Sequence, residues 1–530
     1  MIPEGQGQAQ AGQPAASTRV LVVLSAAVVA LALYSLARYG VLWGEVDTYA
    51  FTGYIDSMLR TGRLVPANGA YPHGYGYPSL GVVLSQVTGL SLPALQLIAA
   101  PLLMVWLVIP AWLLFRELTG SHRGAALATV ILFVQPEFLF PLLRGTHEKF
   151  TRGLMLLCLY LLLRSLRSRR GLSQFAAFVL AFYLSIYALI TFNNLMATSF
   201  IVALGLAMVL SWIVLRATAA TVASAEAATR RLMYIVLSSL AIAFVFTFYA
   251  YPPAQQNVRV LGEMGDRLAA LLLQIEQVRA SPYDVVAGAW VSLPVYFAVS
   301  LANWLLLAGS AVLWLVHTVR WLQKREQPDV SGLLLWAFYA AFAFQAAASI
   351  AVDVSGTLSS NLQHRIFPSF AMLAAPLVAR WLVEWQPRRA WAGRVVWAGG
   401  GAVIALLAIL SIFKATNEPL VSNKWLFHRP GEMQALRWAE GALVGHTLWT
   451  DYDERLTTAY GIRTVGVPAS IRLDAYAAES GTRDRLVSEV TRLRSVRLGE
   501  PLPIEADSLR TYDNGQAQIY HLRPRTQYQR

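Results

Sequence analysis

Long apolar segments separated by short charged loops dominate the pattern of this sequence. The first apolar segment covers residues 20–42, and later ones fall near 92–115, 124–140, 153–163, 172–190, 196–215, 232–249, 290–319, 333–352, 366–383 and 395–413. Most of them are close to the roughly 20 residues that a helix needs to cross the hydrocarbon of a bilayer. The pattern predicts a mainly α protein, a polytopic membrane helical bundle of about eleven spans.

The two ends of the chain have a different composition from the middle. Residues 1–17 are rich in Gln, Ala and Gly, which predicts a disordered N-terminus ahead of a membrane domain at 18–413. Residues 414–530 are charged and polar, with a helix predicted over 430–440 and a strand over 446–449. We therefore predict a soluble α/β domain at the C-terminal end.

Composition and charge support a membrane protein and predict its orientation. The chain is 56% hydrophobic and 14% charged, with a mean hydropathy of +0.48, which excludes an ordinary soluble domain. Its net charge of +13 comes from Lys and Arg gathered in alternate short loops, and no nucleic-acid motif accompanies them. By the positive-inside rule these loops and the N-terminus are cytoplasmic. An odd number of spans then makes the C-terminal domain extracytoplasmic, on a multi-pass protein of the cell membrane.

Two carboxylates follow the first span directly. Glu45 and Asp47 lie where this span leaves the membrane, and the next residues form a helical stripe of Phe51, Tyr54, Ile55, Met58 and Leu59. Such a stripe predicts a helix that lies flat in the membrane interface. An acidic pair at the mouth of a span suggests chemistry there. The alternative is that Asp47 only caps this helix and Glu45 is a solvated loop charge.

A loop of aromatic residues, Pro and Gly follows the interfacial helix. Tyr71, His73 and Tyr75 lie in residues 70–78, a composition that suits a loop at the level of the lipid headgroups. These residues are candidates for an acceptor-binding or lid loop.

The second outer loop, residues 141–152, carries Arg144, His147 and Glu148 against the membrane face. A carboxylate and an imidazole there could hold a metal ion together with Asp47, or they could steer an acceptor. The alternative is an ordinary polar loop in which Glu148 and Arg152 form a helical ion pair.

Two further outer segments carry candidate residues. His364 and Arg365 end the loop 353–365, and an arginine at the mouth of a span suits a phosphate because its fork of donors pairs bidentately with phosphate oxygens. The alternative is an arginine that only reaches lipid headgroups. The long segment 252–289 contains an amphipathic stretch at 258–278, which is either a mobile lid over the site or a plain interfacial helix.

The order of span, Glu45-Val46-Asp47, interfacial helix and Tyr-Pro loop resembles the first outer loop of the glycosyltransferase C superfamily. These multi-span enzymes use polyprenyl-phosphate-linked sugars and carry an acidic motif in this loop. The resemblance implies a second acidic or histidine motif at His147 and Glu148, where the run from Arg144 to Glu148 is similar to oligosaccharyltransferase catalytic subunits. It also implies a basic residue on the lipid phosphate, which is Arg365, with His364 as a second donor.

The resemblance implies an inverting glycosyltransferase that acts on the extracytoplasmic face. Asp47 would be the general base, its pKa raised by Glu45 and by partial burial, and Arg365 would stabilise the leaving phosphate. The partners would be a polyprenyl-monophosphate sugar donor, membrane lipids, and a lipid, glycan or protein acceptor. A divalent cation, Mg²⁺ or Mn²⁺, stays open, because members with diphosphate donors tend to need one and many with monophosphate donors do not. Asp47 and Glu148 would be its ligands.

Other functions remain open on the sequence. An oligosaccharyltransferase that uses a lipid-diphosphate oligosaccharide fits the Tyr-Pro loop and the second outer loop, but its Trp-Trp-Asp signature is absent, the nearest text being Trp449-Thr450-Asp451. A lipid or solute transporter is a rival from a different class. Against it, the ionisable residues cluster at the outer ends of the spans, and the sequence has no repeat halves.

Overall fold

The structure is a computed structural model, and it describes residues 13–65, 70–167, 172–217, 223–273, 292–323, 330–354, 362–385, 390–418, 421, 426–450, 453–475, 484–498, 502, 504 and 508–522. Most of the predicted disordered segment, residues 1–12, lies outside them. The first helix begins at Gln13 and so includes the last residues of that segment.

Helices account for most of the described chain. In chain order they are α1 (Gln13–Tyr39), α2 (Val46–Thr61), α3 (Gly76–Thr88), α4 (Leu92–Thr119, with a π turn and a 3₁₀ turn inside it), α5 (His122–Phe133), α6 (Pro136–Leu142), α7 (Glu148–Arg167), α8 (Leu172–Phe192), α9 (Asn194–Ala217), α10 (Ala223–Val245, continued by a π turn), α11 (Gln256–Leu272), α12 (Leu293–Val299), α13 (Leu301–Leu322), α14 (Val330–Val354), α15 (Leu362–Glu384), α16 (Ala390–Ala415), α17 (Pro430–Ala442), α18 (Glu454–Arg463) and α19 (Glu489–Leu498).

Nine helices within the described residues are long and apolar enough to cross a membrane, which makes the chain a multi-pass membrane protein. The pair α5 and α6, bent by 75° between Phe133 and Pro136, would be a tenth span or a re-entrant loop. The predicted span at 153–163 lies within α7. This helix has charged residues at both ends, but much of its length is buried, as shown by its residues Leu156, Leu159, Leu162 and Leu163. The bundle therefore surrounds α7 rather than exposing it to lipid.

Helix α15 is the most enclosed of the nine spans in the described residues. In its apolar stretch 67% of the residues are buried inside the protein, against 11% in α1 at the edge of the bundle. Small residues give α15 this position because they let neighbouring helices approach closely. Ser369, Ala371, Ala374, Ala375 and Ala379 are all buried. His364 and Arg365, at the N-terminal end of α15, are therefore carried by a tightly packed helix.

The C-terminal part of the chain forms an α/β unit, as predicted. Its strands are β1 (Thr447–Trp449), β2 (Arg472–Asp474), β3 (Asp484–Val487), β4 (Leu509–Asp513) and β5 (Gln518–His521). They form a five-stranded sheet in the order β2-β1-β3-β5-β4. Strand β1 pairs in parallel with β2 and β3, and β5 pairs antiparallel with β3 and β4. Apolar residues of α17 and α18 pack with the sheet in one core.

This unit is docked on the turn that precedes α2. The backbone of Gly44 donates to the carbonyl of Leu426 at 2.9 Å, and a Cβ at Gly44 would lie only 2.4 Å from the carbonyl oxygen of Arg455. Only glycine permits this approach of two backbones. Arg455 is itself buried and pairs with Asp453 and Glu432 at 2.7 and 2.9 Å. The acidic turn at residues 44–47 is therefore held between the membrane domain and the C-terminal unit.

The stripe of α2 differs from its prediction. Phe51, Ile55 and Met58 are buried inside the protein rather than in the membrane interface. They face the neighbouring α3 and α4, and a Cβ added to Gly81 of α3 would clash with the side chain of Ile55. The amphipathic pattern was correct, but its apolar partner is protein.

The orientation of the bundle is testable by cysteine labelling. We expect Thr61→Cys, at the exposed end of α2, to react with a membrane-impermeant maleimide in intact cells. Ser173→Cys, at the exposed start of α8, should react only after permeabilisation. The native Cys158 is fully buried and supplies an unlabelled background. Labelling of Ser173→Cys in intact cells would reverse the orientation.

Candidate active site

Glu45, not Asp47, caps helix α2. Its carboxylate accepts from the backbone N–H of Thr48 at 2.8 Å and from the Thr48 hydroxyl at 3.0 Å, as an N-cap residue does. Its other oxygen pairs with Arg144 at 3.1 Å, and both side chains are only 8% exposed. The alternative in which Asp47 only caps α2 and Glu45 is a solvated loop charge is therefore wrong. Glu45 is buried and paired, and Asp47 lies within the first turn of the helix.

Arg144 joins the first outer loop to the second. Its guanidinium lies over the ring of Phe140, 3.1 Å from the ring centroid, and pairs with Glu45. The turn that follows Arg144 is held together by Lys149, whose buried ammonium donates to the carbonyls of Arg144 and Thr146. The predicted loop at 141–152 is thus a tight turn between α6 and α7, and Glu148 begins α7.

Asp47 is reached by solvent but surrounded by charged groups. Desolvation by burial, together with the carboxylates of Glu45 and Glu148, raises the pKa of Asp47 to about 7. Arg144 and Arg365 act in the opposite direction and lower the Asp47 pKa, so Arg365 lies within electrostatic reach of this carboxylate. Near neutral pH the Asp47 carboxyl is therefore able both to hold and to release a proton.

His147 is buried and its protonation can be deduced from its neighbours. The side-chain amide oxygen of Asn193 accepts from the backbone N–H of Met196 at 3.0 Å, which fixes the orientation of the amide. The amide nitrogen then donates to Nε2 of His147 at 2.6 Å. Burial lowers the pKa of His147 to about 4, so the ring is neutral and carries its proton on Nδ1. Nδ1 faces Glu148, with 3.5 Å between Nδ1 and Oε2.

The aromatic loop adds Tyr71 and His73 to the group of Asp47, His147 and Glu148, and we call the space between these side chains the cleft. The ring of Tyr71 lies 4.8 Å from that of Phe51 and 5.5 Å from that of His147, measured between centroids. Burial, and the negative charges of Glu148 and Asp47, raise the pKa of the Tyr71 phenol well above its usual value. His73 contacts Tyr71 edge-on and hydrogen-bonds Asn257 of α11 at 2.5 Å. Burial lowers the pKa of His73, so its ring is neutral.

Tyr75 does not face these groups. Its hydroxyl pairs with that of Tyr187 at 3.1 Å, and its ring packs against Phe246 and Tyr251. The sequence could not show that Tyr75 points away from Tyr71 and His73, because the loop before α3 has no regular helix or strand periodicity.

Arg365 lies in the first turn of α15 with an exposed side chain. Arg152 of α7 donates to the Arg365 carbonyl at 2.6 Å and to the Ser369 hydroxyl at 2.5 Å, and it forms no ion pair with Glu148 in the described part of the chain. Asp353 caps the same helix end through two bonds of 2.8 Å to the backbone N–H groups of Leu362 and Gln363. The backbone of Arg365 is thus fixed while its guanidinium is open.

His364 is oriented by a buried acid that the sequence reasoning missed. Glu137 of α6 contacts Nδ1 of His364 at 3.1 Å and Nζ of Lys414 at 2.7 Å. The sequence did offer a sign of its role, because Glu137 lies inside the predicted span 124–140. Charged residues within spans are costly and usually functional. Asn193, in the break between α8 and α9, gave a similar signal.

The amphipathic segment predicted as a lid is partly described. Helix α11 begins two residues before the predicted stretch and contacts the cleft through Asn257. Tyr251, which precedes this helix, donates its hydroxyl to the Tyr71 carbonyl at 2.6 Å. Residues 274–291, at the end of the predicted segment, lie outside the described residues, as does Asp451 of the Trp449-Thr450-Asp451 run.

No three His, Cys, Asp or Glu side chains in the described residues are arranged to hold a metal ion. Among the described residues, Nδ1 of His147 and Oε2 of Glu148 are both buried atoms without a hydrogen-bond partner.

No family model matches this chain, and no curated protein does either. Solved structures do. The apo oligosaccharyltransferase of Archaeoglobus fulgidus is 12% identical with a TM-score of 0.53, and the match covers 98% of this chain and 75% of that one. The AglB oligosaccharyltransferase from the same organism, in complex with an inhibitory peptide and a dolichol-phosphate, is 12% identical with a TM-score of 0.52. This match covers 91% of this chain and 71% of that one. The first of these oligosaccharyltransferases, in complex with Zn and sulfate, is 13% identical with a TM-score of 0.50, and the match covers 91% of this chain and 70% of that one.

These matches concern the fold. They show that the chain shares the fold of these archaeal oligosaccharyltransferase structures, a helical membrane bundle followed by a C-terminal domain. The similarity in fold extends over nearly the whole chain.

The buried Glu45–Arg144 pair should be essential for stability. Arg144→Met leaves Glu45 buried without its partner, and we expect it to lower the free energy of unfolding by about 3–5 kcal/mol. Adding Glu45→Gln should recover part of this loss. The matched control is Arg60→Met, which breaks an exposed pair with Asp56 and should cost less than about 1 kcal/mol. Equal losses in Arg144→Met and Arg60→Met, measured by denaturant titration in detergent, would contradict the assignment.

Proposed function

We propose that this protein is a membrane glycosyltransferase that moves a sugar from a polyprenyl-phosphate-linked donor to an acceptor on the extracytoplasmic face. One observation carries the proposal. A carboxylate that titrates near neutral pH, Asp47, and an open guanidinium, Arg365, come from distant parts of the sequence to the same cleft. Glycosyl transfer from a lipid phosphate needs a base for the acceptor and a cation for the leaving phosphate.

Asp47 is the proposed general base. Glu45 is unsuited to this role because it caps α2 and pairs with Arg144, so both of its oxygens are engaged. Asp47 would take the proton of the acceptor hydroxyl while the acceptor oxygen bonds to the anomeric carbon. The bond from that carbon to the phosphate oxygen breaks in the same step, which inverts the anomeric centre. Polyprenyl phosphate leaves with the electron pair.

Arg365 is the proposed partner of the leaving phosphate. A guanidinium offers two parallel donors to phosphate oxygens and stays charged at any working pH. Arg152 and Asp353 hold the helix end that carries it, so little conformational freedom would be lost on binding. Glu137 holds Nδ1 of His364 and leaves the Nε2 side of that ring for a second contact. A single guanidinium with one histidine suits a monophosphate donor.

Tyr71 and His73 are proposed to line the acceptor side of the cleft. Both lie between the carboxylates and α11, where a substrate hydroxyl would approach Asp47. His147 and Glu148 would orient the acceptor below them. Helix α11, attached through Asn257, would cover the cleft, although the residues that follow it lie outside the described part.

The cleft also fits a divalent cation. The carboxylate of Glu148 raises the pKa of Asp47, and Oε2 of Glu148 is buried without a hydrogen-bond partner among the described residues. These two groups would hold Mg²⁺ or Mn²⁺, which prefer oxygen ligands and commonly take the rest from phosphate and water. His147 fits less well, because Asn193 occupies its Nε2 and leaves a proton on Nδ1. The cation would supply positive charge next to the phosphate.

An oligosaccharyltransferase-like enzyme is the second candidate, since the solved structures with the same fold include an archaeal oligosaccharyltransferase. It would use a lipid-diphosphate oligosaccharide and a peptide acceptor. The absence of a Trp-Trp-Asp signature disfavours this peptide acceptor.

Turnover by the purified protein tests the function directly. Candidate polyprenyl-monophosphate and polyprenyl-diphosphate sugars would be incubated with the protein, and the released lipid identified by mass spectrometry. We expect polyprenyl monophosphate as product from the monophosphate donors. Release of polyprenyl diphosphate alone would favour the oligosaccharyltransferase-like alternative, and no release with any donor would oppose both.

Replacing Asp47 should remove the base and preserve the fold. We expect Asp47→Asn to lower the catalytic constant by at least about 100-fold, because amides cannot accept the proton. Wild-type turnover should rise with pH through about 7, since the Asp47 base acts only when deprotonated and its pKa is raised to about 7. Asp56→Asn, on the same helix but paired with Arg60, is the control and should keep activity. Near-normal turnover of Asp47→Asn would exclude this residue as the base.

Arg365→Lys should be impaired although the charge is conserved, because a point ammonium cannot reproduce bidentate phosphate geometry. The loss should appear in the catalytic constant, and Arg365→Ala should lose more. The two variants would be compared in the same detergent with the same donor. If both retained wild-type rates, Arg365 would be a headgroup anchor and not part of the site.

A further inference from the structure

A polar cavity lies at the end of the bundle opposite to the candidate active site. Its volume is about 530 Å³, within the range of ligand pockets. Two helices connect the two regions. Helix α7 begins with Glu148 and carries Arg164 near its other end, and α15 carries Arg365 at one end and Arg380 at the other. The residues from Arg365 to Arg380 span about 22 Å at the α-helical rise, so the cavity lies near the opposite membrane face.

The cavity is lined by side chains from the ends of four helices. Arg116 and Glu117 come from α4, Tyr160 and Arg164 from α7, Ser331 from α14, and Arg380 and Glu384 from α15. All except Tyr160 lie in or next to the first or last turn of their helices, at the depth where lipid headgroups lie. Leu113 and Leu118 add apolar surface at the same wall.

Two of the three arginines are already held in position. Arg164 pairs with Glu117 at 3.1 Å and lies over the ring of Phe178, and Arg380 pairs with Glu384 at 2.9 Å. Their charges are therefore largely compensated, while the guanidinium of Arg164 has more donors than the one that contacts Glu117. Such prepositioned donors bind an anion with little loss of side-chain freedom.

Arg116 supplies the charge that is not compensated. Its side chain is exposed and forms no ion pair with another residue of the described chain. Three arginines against two glutamates leave one net positive charge on the cavity. The positive-inside rule explains arginines on this face but not the two glutamates among them or the convergence of four helix ends on one cavity.

We propose that this cavity binds the headgroup of an anionic phospholipid that carries one phosphodiester. Arg116 and Arg164 would contact the phosphate, and the hydroxyls of Tyr160 and Ser331 would contact the ester or headgroup oxygens. Basic pockets between spans on the cytoplasmic side recognise such headgroups. The site is separate from the proposed glycosyl transfer and does not depend on it.

Lipid binding to the full-length protein tests the assignment. The purified, delipidated protein in neutral detergent would be titrated with phosphatidylglycerol and, separately, with phosphatidylcholine, and bound lipid counted by native mass spectrometry. We expect one phosphatidylglycerol to bind more tightly than phosphatidylcholine. Arg116→Gln should weaken this binding roughly fivefold, in line with the contribution of one basic residue near a membrane surface, and Arg116→Lys should weaken it less.

Arg123→Gln is the matched control, because Arg123 is an exposed arginine of the same region that does not line the cavity. It removes the same charge and should leave binding unchanged. Equal weakening by Arg116→Gln and Arg123→Gln would overturn the site in favour of general surface charge, as would equal binding of the two lipids. Inorganic phosphate should not compete at millimolar concentration. If it displaced phosphatidylglycerol, the occupant would be a free anion and the assignment to a lipid would be wrong.

Discussion

The ion pair between Glu45 and Arg144 is the interaction on which the candidate active site depends. It joins two outer loops that are far apart in sequence, and it does so where both side chains are almost fully buried. Glu45 also caps α2, so the same carboxylate starts the helix and fixes it to the turn before α7. Removal of either partner would leave a buried charge without compensation, a far larger penalty than the loss of an exposed pair.

This pair also determines what Asp47 can do. Burial of Asp47, with the carboxylates of Glu45 and Glu148 close by, raises its pKa to about 7. Arg365 limits this shift from the other side of the cleft. The C-terminal unit adds a mechanical constraint, because its close approach at Gly44 prevents the acidic turn from moving outward. Glu45 and Asp47 are only two positions apart, yet Glu45 is engaged by Thr48 and Arg144 while Asp47 is left as the proposed base.

Much of the architecture was predictable because apolar length and loop charge report directly on membrane spans. The helical bundle, the C-terminal α/β unit and the convergence of Asp47, His147, Glu148 and Arg365 follow from the order of spans and outer loops. The rest depends on contacts that no local pattern encodes. The stripe of α2 gives an apolar face but not its partner, and α7 is enclosed despite its charged ends. Asn193, Glu137 and Asp353 act through bonds to residues distant in sequence or beyond a loop, and Tyr75 turns away although its neighbours do not.

A structure of the protein with bound polyprenyl phosphate would test the central claim most directly, because the claim is that Arg365 and Asp47 face one substrate. The account predicts phosphate oxygens at about 2.7–2.9 Å from the Arg365 guanidinium, the spacing of a charge-assisted hydrogen bond, with the Asp47 carboxylate open to the same cavity. A phosphate bound elsewhere on the membrane domain, with Arg365 directed into the headgroup layer, would contradict it.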